Sequence, residues 1–139
     1  MAPSEQNETE YAKAIKKSLG ILSFGDNSRI QLITKLKRAG ISHSTASLAA
    51  DEMVKLGYIN ESRQIERLIE REVNLKLLGP MKLIPKLSAK GYSPVSIKES
   101  ISRLQEDGVI DFEAVKKKLT EGLPPDEGQK ALYKKGHKV

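Results

Sequence analysis

The chain has 139 residues, no cysteine and a formal net charge of +6 at pH 7. A chain of this length can bury a core without covalent support, and the lack of cysteine excludes a disulfide framework, a thiolate nucleophile and a thiolate metal site. No apolar run approaches the roughly 20 residues that a membrane span requires, so we expect a cytoplasmic chain with no membrane contact.

The N-terminal residues differ in charge from the rest. Residues 1–10 are polar and include Glu5, Glu8 and Glu10, which predicts a disordered acidic leader. Outside these ten residues, 24 basic and 15 acidic residues give a net charge of +9. This excess favours a polyanionic or acidic partner.

The rest of the chain resembles itself at an offset of 51 residues. Gly40 and Gly57 of the first copy correspond to Gly91 and Gly108 of the second. The pattern predicts three-helix repeats over 11–59 and 60–110 and a partial third repeat over 111–139. The predicted fold is all-α, with tandem repeats that form a curved, elongated array and a truncated third repeat.

Capping residues and glycines predict the helices of repeat 1. We expect a first helix over about 11–22, a second that begins after a cap among residues 26–28 and ends at Gly40, and a third that Ser42 caps and Gly57 terminates. No segment alternates in the manner of a strand.

Repeats 2 and 3 continue this pattern. Gly79 and Pro80 separate the first two helices of repeat 2, and Pro85 predicts a kink or a late start in the second. In repeat 3 we expect helices over 112–120 and 126–135.

Apolar spacing predicts which helix faces are buried. The second helices carry equivalent apolar stripes, which we expect to face the core: Ile30, Ile33 and Leu36, and Met81, Ile84 and Leu87. The third helices carry a comparable stripe: Ala46, Ala50 and Met53, and Ile97, Ile101 and Leu104.

Basic residues are concentrated in the second helices. No acid occurs between Asp26 and Asp51 or between Glu72 and Glu99. Because equivalent helices of a repeat array tend to line one side, these charges predict a basic stripe that binds a partner. The candidate contact residues are Arg29, Lys35, Arg38, Arg63, Arg67, Lys82, Lys86 and Lys90. The alternative is that each occupies an ordinary solvated helix face, and Arg63 has the further alternative of bracing the junction between repeats.

The sequence contains no recognisable catalytic or metal-binding motif. His43 follows a predicted cap and His137 lies near the C-terminus, so we expect both to be exposed rather than paired as ligands. No glycine-rich loop follows a strand. We therefore predict a binding protein without cofactor or metal, not an enzyme.

The motifs themselves resemble a known family. The run Gly57-Tyr58-Ile59-Asn60-Glu61-Ser62-Arg63, followed by Gly79-Pro80, Leu87 and Gly91, is similar to the central repeat of the bacterial RecX family. Asn27-Ser28-Arg29 with Leu32, Leu36 and Gly40 resembles the first repeat of that family, and Leu132-Tyr133-Lys134-Lys135-Gly136 resembles an element of the third.

The resemblance implies a function. RecX proteins modulate the RecA recombinase by lodging in the groove of its filament on single-stranded DNA, where they restrain ATP hydrolysis and strand exchange. We therefore expect a monomeric regulator that binds the RecA filament and contacts single-stranded or double-stranded DNA. The alternative is a sequence-independent DNA-binding helical module, since the charge alone suits a phosphate backbone.

Overall fold

The computed structural model describes residues 9–138, and this part of the chain is all-α, as predicted. The helices are α1 (Glu10–Phe24), α2 (Arg29–Arg38), α3 (His43–Lys55), α4 (Glu61–Lys76), α5 (Pro80–Ala89), α6 (Pro94–Glu106), α7 (Phe112–Thr120) and α8 (Pro125–Lys134). They divide into two compact units: unit 1 ends at Glu61 and unit 2 begins at Ser62.

Unit 1 is a three-helix unit. Its core contains Leu32 and Leu36 from α2, Met53 from α3 and Ala14 from α1, all fully buried. The face that α3 presents is largely alanine, with Ala46, Ala49 and Ala50 buried beside Met53. Small side chains let helix backbones approach closely, so a short unit can still exclude water.

Unit 2 contains α4–α8 around one larger core. Ile65, Ile69 and Val73 of α4 are buried, and so are Leu83 and Leu87 of α5. The predicted stripe of α6 is also buried, and Phe112 and Val115 of α7 extend the same cluster. The helices of the partial third repeat therefore share the core of repeat 2.

The helix starts refine the predicted boundaries. Thr9 caps α1 by accepting a hydrogen bond from the Ala12 amide, so Glu10 is helical rather than part of a leader. The rest of the predicted leader, residues 1–8, lies outside the described residues. Ser28 caps α2 in a reciprocal arrangement with Gln31.

Pro85 does not delay the start of its helix. α5 begins at Pro80 and continues through Pro85, so the predicted late start is wrong. Pro80 occupies the first turn, where its missing amide would have lacked an intrahelical partner in any case. Pro85 is exposed, and its ring therefore does not disturb the core face of α5.

Five of the helices in residues 9–138 end with the same bonds, and in three of them the residue after the glycine is buried. After α2, α5 and α8, a glycine with positive φ is followed by a residue whose amide donates back to the helix: Ile41 to the Leu36 carbonyl, Tyr92 to Leu87 and His137 to Leu132. These are the bonds of a Schellman motif, in which the residue after the glycine packs inward. Each of the three inward residues is buried.

The burial of His137 corrects the prediction that it is exposed, whereas His43 is exposed as expected. The ring Nε2 lies 2.8 Å from the Leu77 carbonyl oxygen, which can only accept, so Nε2 carries the proton. The ring also makes an edge contact with Phe112, at a centroid distance of 6.0 Å. The residue is thus a core residue of unit 2.

The segment around His137 also closes the start of α5. The Gly79 amide donates to the Lys135 carbonyl at 2.8 Å, and the Met81 amide donates to the Gly136 carbonyl at 3.0 Å. These bonds satisfy amides that a helix N-terminus leaves without partners. A Cβ on Gly79 would lie 2.5 Å from the Gly136 oxygen, so this contact requires glycine.

We predict that Gly79→Ala lowers the free energy of unfolding by about 1–3 kcal/mol, the usual cost of overpacking, because the atom that its Cβ would meet belongs to the backbone. Urea unfolding followed by circular dichroism would measure the change. Gly20→Ala is the matched control: it lies inside α1 with nothing within 4 Å of its Cβ, and it should stabilise by about 0.5–1 kcal/mol. Equal or greater stability of Gly79→Ala would contradict the close-contact explanation.

Candidate partner-binding surfaces

The predicted contact residues of unit 1 lie on α2, and two of them are held by intramolecular bonds. The backbone amide of Arg29 donates to Glu61 and its Nε donates to Asp51, both at 2.7 Å. Lys35 Nζ donates to the side-chain oxygen of Asn27 at 2.6 Å. Both residues therefore contribute to the structure of unit 1.

Arg38 and Lys82 differ from these residues. Arg38 ends α2 in unit 1 and Lys82 lies in the first turn of α5 in unit 2, and both are exposed. Within the described residues 9–138, neither side chain forms an ion pair or a hydrogen bond. Their charges are available to a partner.

The other candidates of unit 2 are placed on two helices. Lys82, Lys86 and Lys90 recur every four residues along α5 and its C-terminal cap, and Arg63 and Arg67 are exposed on the first turns of α4. A spacing of four puts side chains on one helix face. The structure therefore brings the three lysines onto one face of α5.

Lys86 is bound to a carboxylate that the sequence did not single out. Glu72 of α4 is buried, and its Oε2 accepts from Lys86 Nζ at 2.7 Å. Lys76 lies 3.5 Å and Arg71 3.7 Å from the same carboxylate. Three cations around one anion leave an excess of positive charge, while Lys86 also ties α5 to α4.

Burial and ion pairing act in opposite directions on Glu72. Burial disfavours the carboxylate, but the hydrogen bond from Lys86 and the charges of Lys86 and Lys76 outweigh it and lower the pKa of Glu72 below its ordinary value. The hydrogen bond to Glu72 correspondingly raises the pKa of Lys86. Both groups are therefore charged at neutral pH.

A second basic surface lies on α1, where no contact residue was predicted. Lys13, Lys16 and Lys17 line an open groove of about 510 Å³ together with Glu10 and residues 39–41. The signal was present in the sequence, since no acid occurs between Glu10 and Asp26. We missed it by assuming that the first helices all carry mixed charge.

One end of this groove corrects the predicted role of Ser42. Ser42 occupies the N-cap position of α3 but makes no capping bond through its side chain. Its hydroxyl donates to Glu10 at 2.6 Å and its amide to the same carboxylate at 3.2 Å. These bonds and one with Thr45 lower the pKa of Glu10, so this carboxylate is engaged in joining α1 to α3.

Two observations on residues 9–138 bear on other classes of site. No group of three or more His, Asp or Glu side chains in this range is arranged to hold a metal ion. No helix in the same range has both the length and the apolar character that a membrane crossing demands.

Comparison with known proteins shows which proteins the chain resembles. No family model matches it. It is 26% identical over 125 residues to "Regulatory protein RecX" of Clostridioides difficile and 29% identical over 100 residues to the protein of the same name from Legionella pneumophila. These alignments cover 90% and 72% of the chain. The chain is therefore similar to RecX regulatory proteins over most of its length.

Solved RecX structures share the fold. A crystal structure of regulatory protein RecX superposes with a TM-score of 0.78 at 18% identity, covering 94% of this chain and 69% of that one. RecX from Lactobacillus salivarius gives a TM-score of 0.65 at 17% identity, covering 90% and 96%. The chain spans only 58% and 65% of the lengths of the two curated RecX relatives.

The RecX-like motif residues have structural partners here. Glu61, the acidic residue of the run from Gly57 to Arg63, accepts a hydrogen bond from the Arg29 amide at the start of α2. Gly79 is packed against Gly136, and Leu87 is fully buried. The part of the RecX motif that these residues represent therefore specifies the fold of each unit.

We predict that Lys86→Met lowers the free energy of unfolding by about 1–3 kcal/mol, since it removes the nearest partner of a buried carboxylate. Lys82 is on the same face of the same helix but has no carboxylate partner among residues 9–138, so Lys82→Met should have almost no effect. Thermal and urea unfolding at pH 7 would compare them. Similar values for the two variants would show that the Glu72 contact contributes nothing.

The pH dependence of stability should also report Glu72. Its pKa is lowered in the folded state, so its contribution is complete above the ordinary value near 4.5 and is lost as the pH falls below it. Glu72→Gln should therefore destabilise the chain at pH 7 and reduce the loss of stability between about pH 5 and 3. Unfolding curves across this range would test this. If the carboxylate were not ionised in the folded chain, the free energy of unfolding would depend on pH in the same way for Glu72→Gln and the wild type.

Proposed function

We propose that this protein modulates the RecA recombinase by binding its filament on single-stranded DNA in the cytoplasm. The observation that carries the proposal is sequence similarity over 90% of the chain to a protein named as a regulatory RecX. The motif resemblance connects that family with RecA. No active site is required, because occupation of the filament is enough to restrain ATP hydrolysis.

The charges suit an acidic or nucleic-acid-bearing groove. Arg38 in unit 1 and Lys82 in unit 2 are exposed without ion pairs in the described chain, and an excess of positive charge surrounds Glu72. Charges of this kind accelerate association and orient the bound protein more than they add affinity. We assign first contact to Arg38 and Lys82, and a mainly structural role to Arg29, Lys35 and Lys86.

The ATPase activity of RecA on single-stranded DNA tests the proposal. Purified protein added at substoichiometric to stoichiometric amounts should slow ATP hydrolysis, and co-sedimentation should recover it with the filaments. Unchanged hydrolysis and no recovery at saturating protein would refute it.

Charge reversal should locate the contact. We predict that Arg38→Glu and Lys82→Glu each weaken inhibition about tenfold, equivalent to about 1.4 kcal/mol. Thermal stability should change little, because neither side chain has a hydrogen-bond or ion-pair partner within residues 9–138. Lys55→Glu is the matched control, since Lys55 is an exposed lysine in the last turn of α3, outside the second helices. Equal losses for all three variants would indicate a general charge effect rather than a defined surface.

A DNA-binding module is the second candidate, and the groove lined by Lys13, Lys16 and Lys17 favours it. Neutralisation of several phosphates predicts binding to naked DNA that weakens steeply with salt. Fluorescence anisotropy at two or more salt concentrations would separate the candidates: tight, salt-sensitive binding without RecA supports the module, and binding that requires the filament supports the modulator.

A further inference from the structure

Large apolar side chains are exposed at equivalent positions of the two units. Phe24 ends α1 and is 95% exposed, and its equivalent 51 residues later, Leu75, is 76% exposed near the end of α4. Ile30 in the first turn of α2 is 54% exposed, and its equivalent Met81 in the first turn of α5 is 58% exposed. Both pairs flank the turn between the first and second helices of a unit.

This exposure contradicts the expectation from helical spacing. Ile30 and Met81 belong to stripes predicted to face the core, but the cores are completed by the residues that follow them, Ile33 with Leu36 and Leu83 with Leu87. Burying a side chain of this size is worth about 1.5–3 kcal/mol. Each unit loses much of this stabilisation, and both units lose it at the same position of the repeat.

The coincidence is specific to certain positions. Most other exposed apolar residues have polar or charged equivalents in the second unit: Leu48 corresponds to Glu99 and Leu56 to Asp107. Val95 of unit 2 likewise corresponds to Ser44 of unit 1. Tyr58 and Val109 also recur, but they follow the third helices instead of flanking this turn. Scattered exposed apolar residues are ordinary, so these residues provide a background against which the recurring pairs stand out.

We propose that Phe24 with Ile30, and Leu75 with Met81, form two equivalent docking sites for a protein partner that presents the same apolar surface more than once. Two like sites in one chain match a partner built of identical subunits, which offers each unit the same contact. A phosphodiester backbone has no apolar surface to receive such side chains, and three of the four are not aromatic rings on which the bases of a single strand stack, so a protein surface fits them better than single-stranded DNA.

The charges beside the sites define the partner further. Arg29 precedes Ile30, and Lys76 and Lys82 adjoin Leu75 and Met81 in the sequence. Arg29 and Lys76 are paired with Asp51 and Glu72, whereas Lys82 has no ion pair within residues 9–138 and supplies the charge that a partner meets. An apolar recess with an acidic rim is complementary to an apolar side chain with basic neighbours. The inference rests on the proposed function: the subunits of the RecA filament are the repeated surface, and each unit of this chain docks on one of them.

Paired substitutions test the two sites. Phe24→Ser with Ile30→Ser, and Leu75→Ser with Met81→Ser, should each weaken co-sedimentation with RecA filaments at least tenfold. Melting temperatures should change little, because the four side chains are exposed. Leu48→Ser with Val95→Ser is the matched control, which removes exposed apolar side chains that do not recur and should leave binding unchanged.

Salt dependence distinguishes this contact from the basic one. The apolar variants should weaken binding by the same factor at low and high salt, whereas Lys82→Glu should reduce the salt dependence itself. If both paired variants bind filaments as well as the wild-type protein does, the proposed docking sites are wrong and the proposed function is unaffected.

Two other results also overturn the inference. Failure of the wild-type protein to bind filaments defeats the proposed function together with the sites. Self-association of the wild-type protein, seen by sedimentation velocity without RecA and abolished by either paired variant, assigns the apolar pairs to a second copy of this chain instead.

Discussion

The start of each basic helix is held by a segment that comes later in the chain. The first amide of α2 is bonded to Glu61, which lies at the beginning of α4, and the amides of Gly79 and Met81 at the start of α5 are bonded to the carbonyls of Lys135 and Gly136. Amides at a helix start have no partner within the helix. These bonds therefore fix where α2 and α5 begin, and with them the placement of the side chains that they carry.

The same constraint explains why basic residues of the second helices differ in role. When the position of a helix is fixed, the fold can supply a carboxylate or amide partner for a cation on it. Such partners are present for Arg29, Lys35 and Lys86. The buried carboxylate of Glu72 is stabilised by nearby cations, of which Lys86 is the nearest. An acid-free stretch of sequence thus contains both structural and surface charges, and only geometry separates them.

How far the sequence could predict this protein depends on the range of the interaction concerned. Ser28, Gly40 and Pro80 act on their own neighbours, and the helices that they delimit were predictable to within a few residues. The burial of His137 and Glu72 depends on residues 60 and 14 positions away. Ile30 and Met81 fit a helical stripe but lie beyond the edge of the core, which periodicity alone does not locate.

Charge and apolar exposure make different contributions to recognition. Exposed cations such as Arg38 and Lys82 act over a Debye length of about 8 Å at physiological salt and mainly speed association. Apolar contacts such as those proposed for Phe24 and Leu75 act only at van der Waals distance and mainly slow dissociation, the step in which related complexes usually differ. For the proposed filament regulator, slow dissociation would matter more than fast association, because the bound protein acts only while it stays on the filament. Two equivalent apolar sites on one chain would slow dissociation further through effective concentration, without any additional charge.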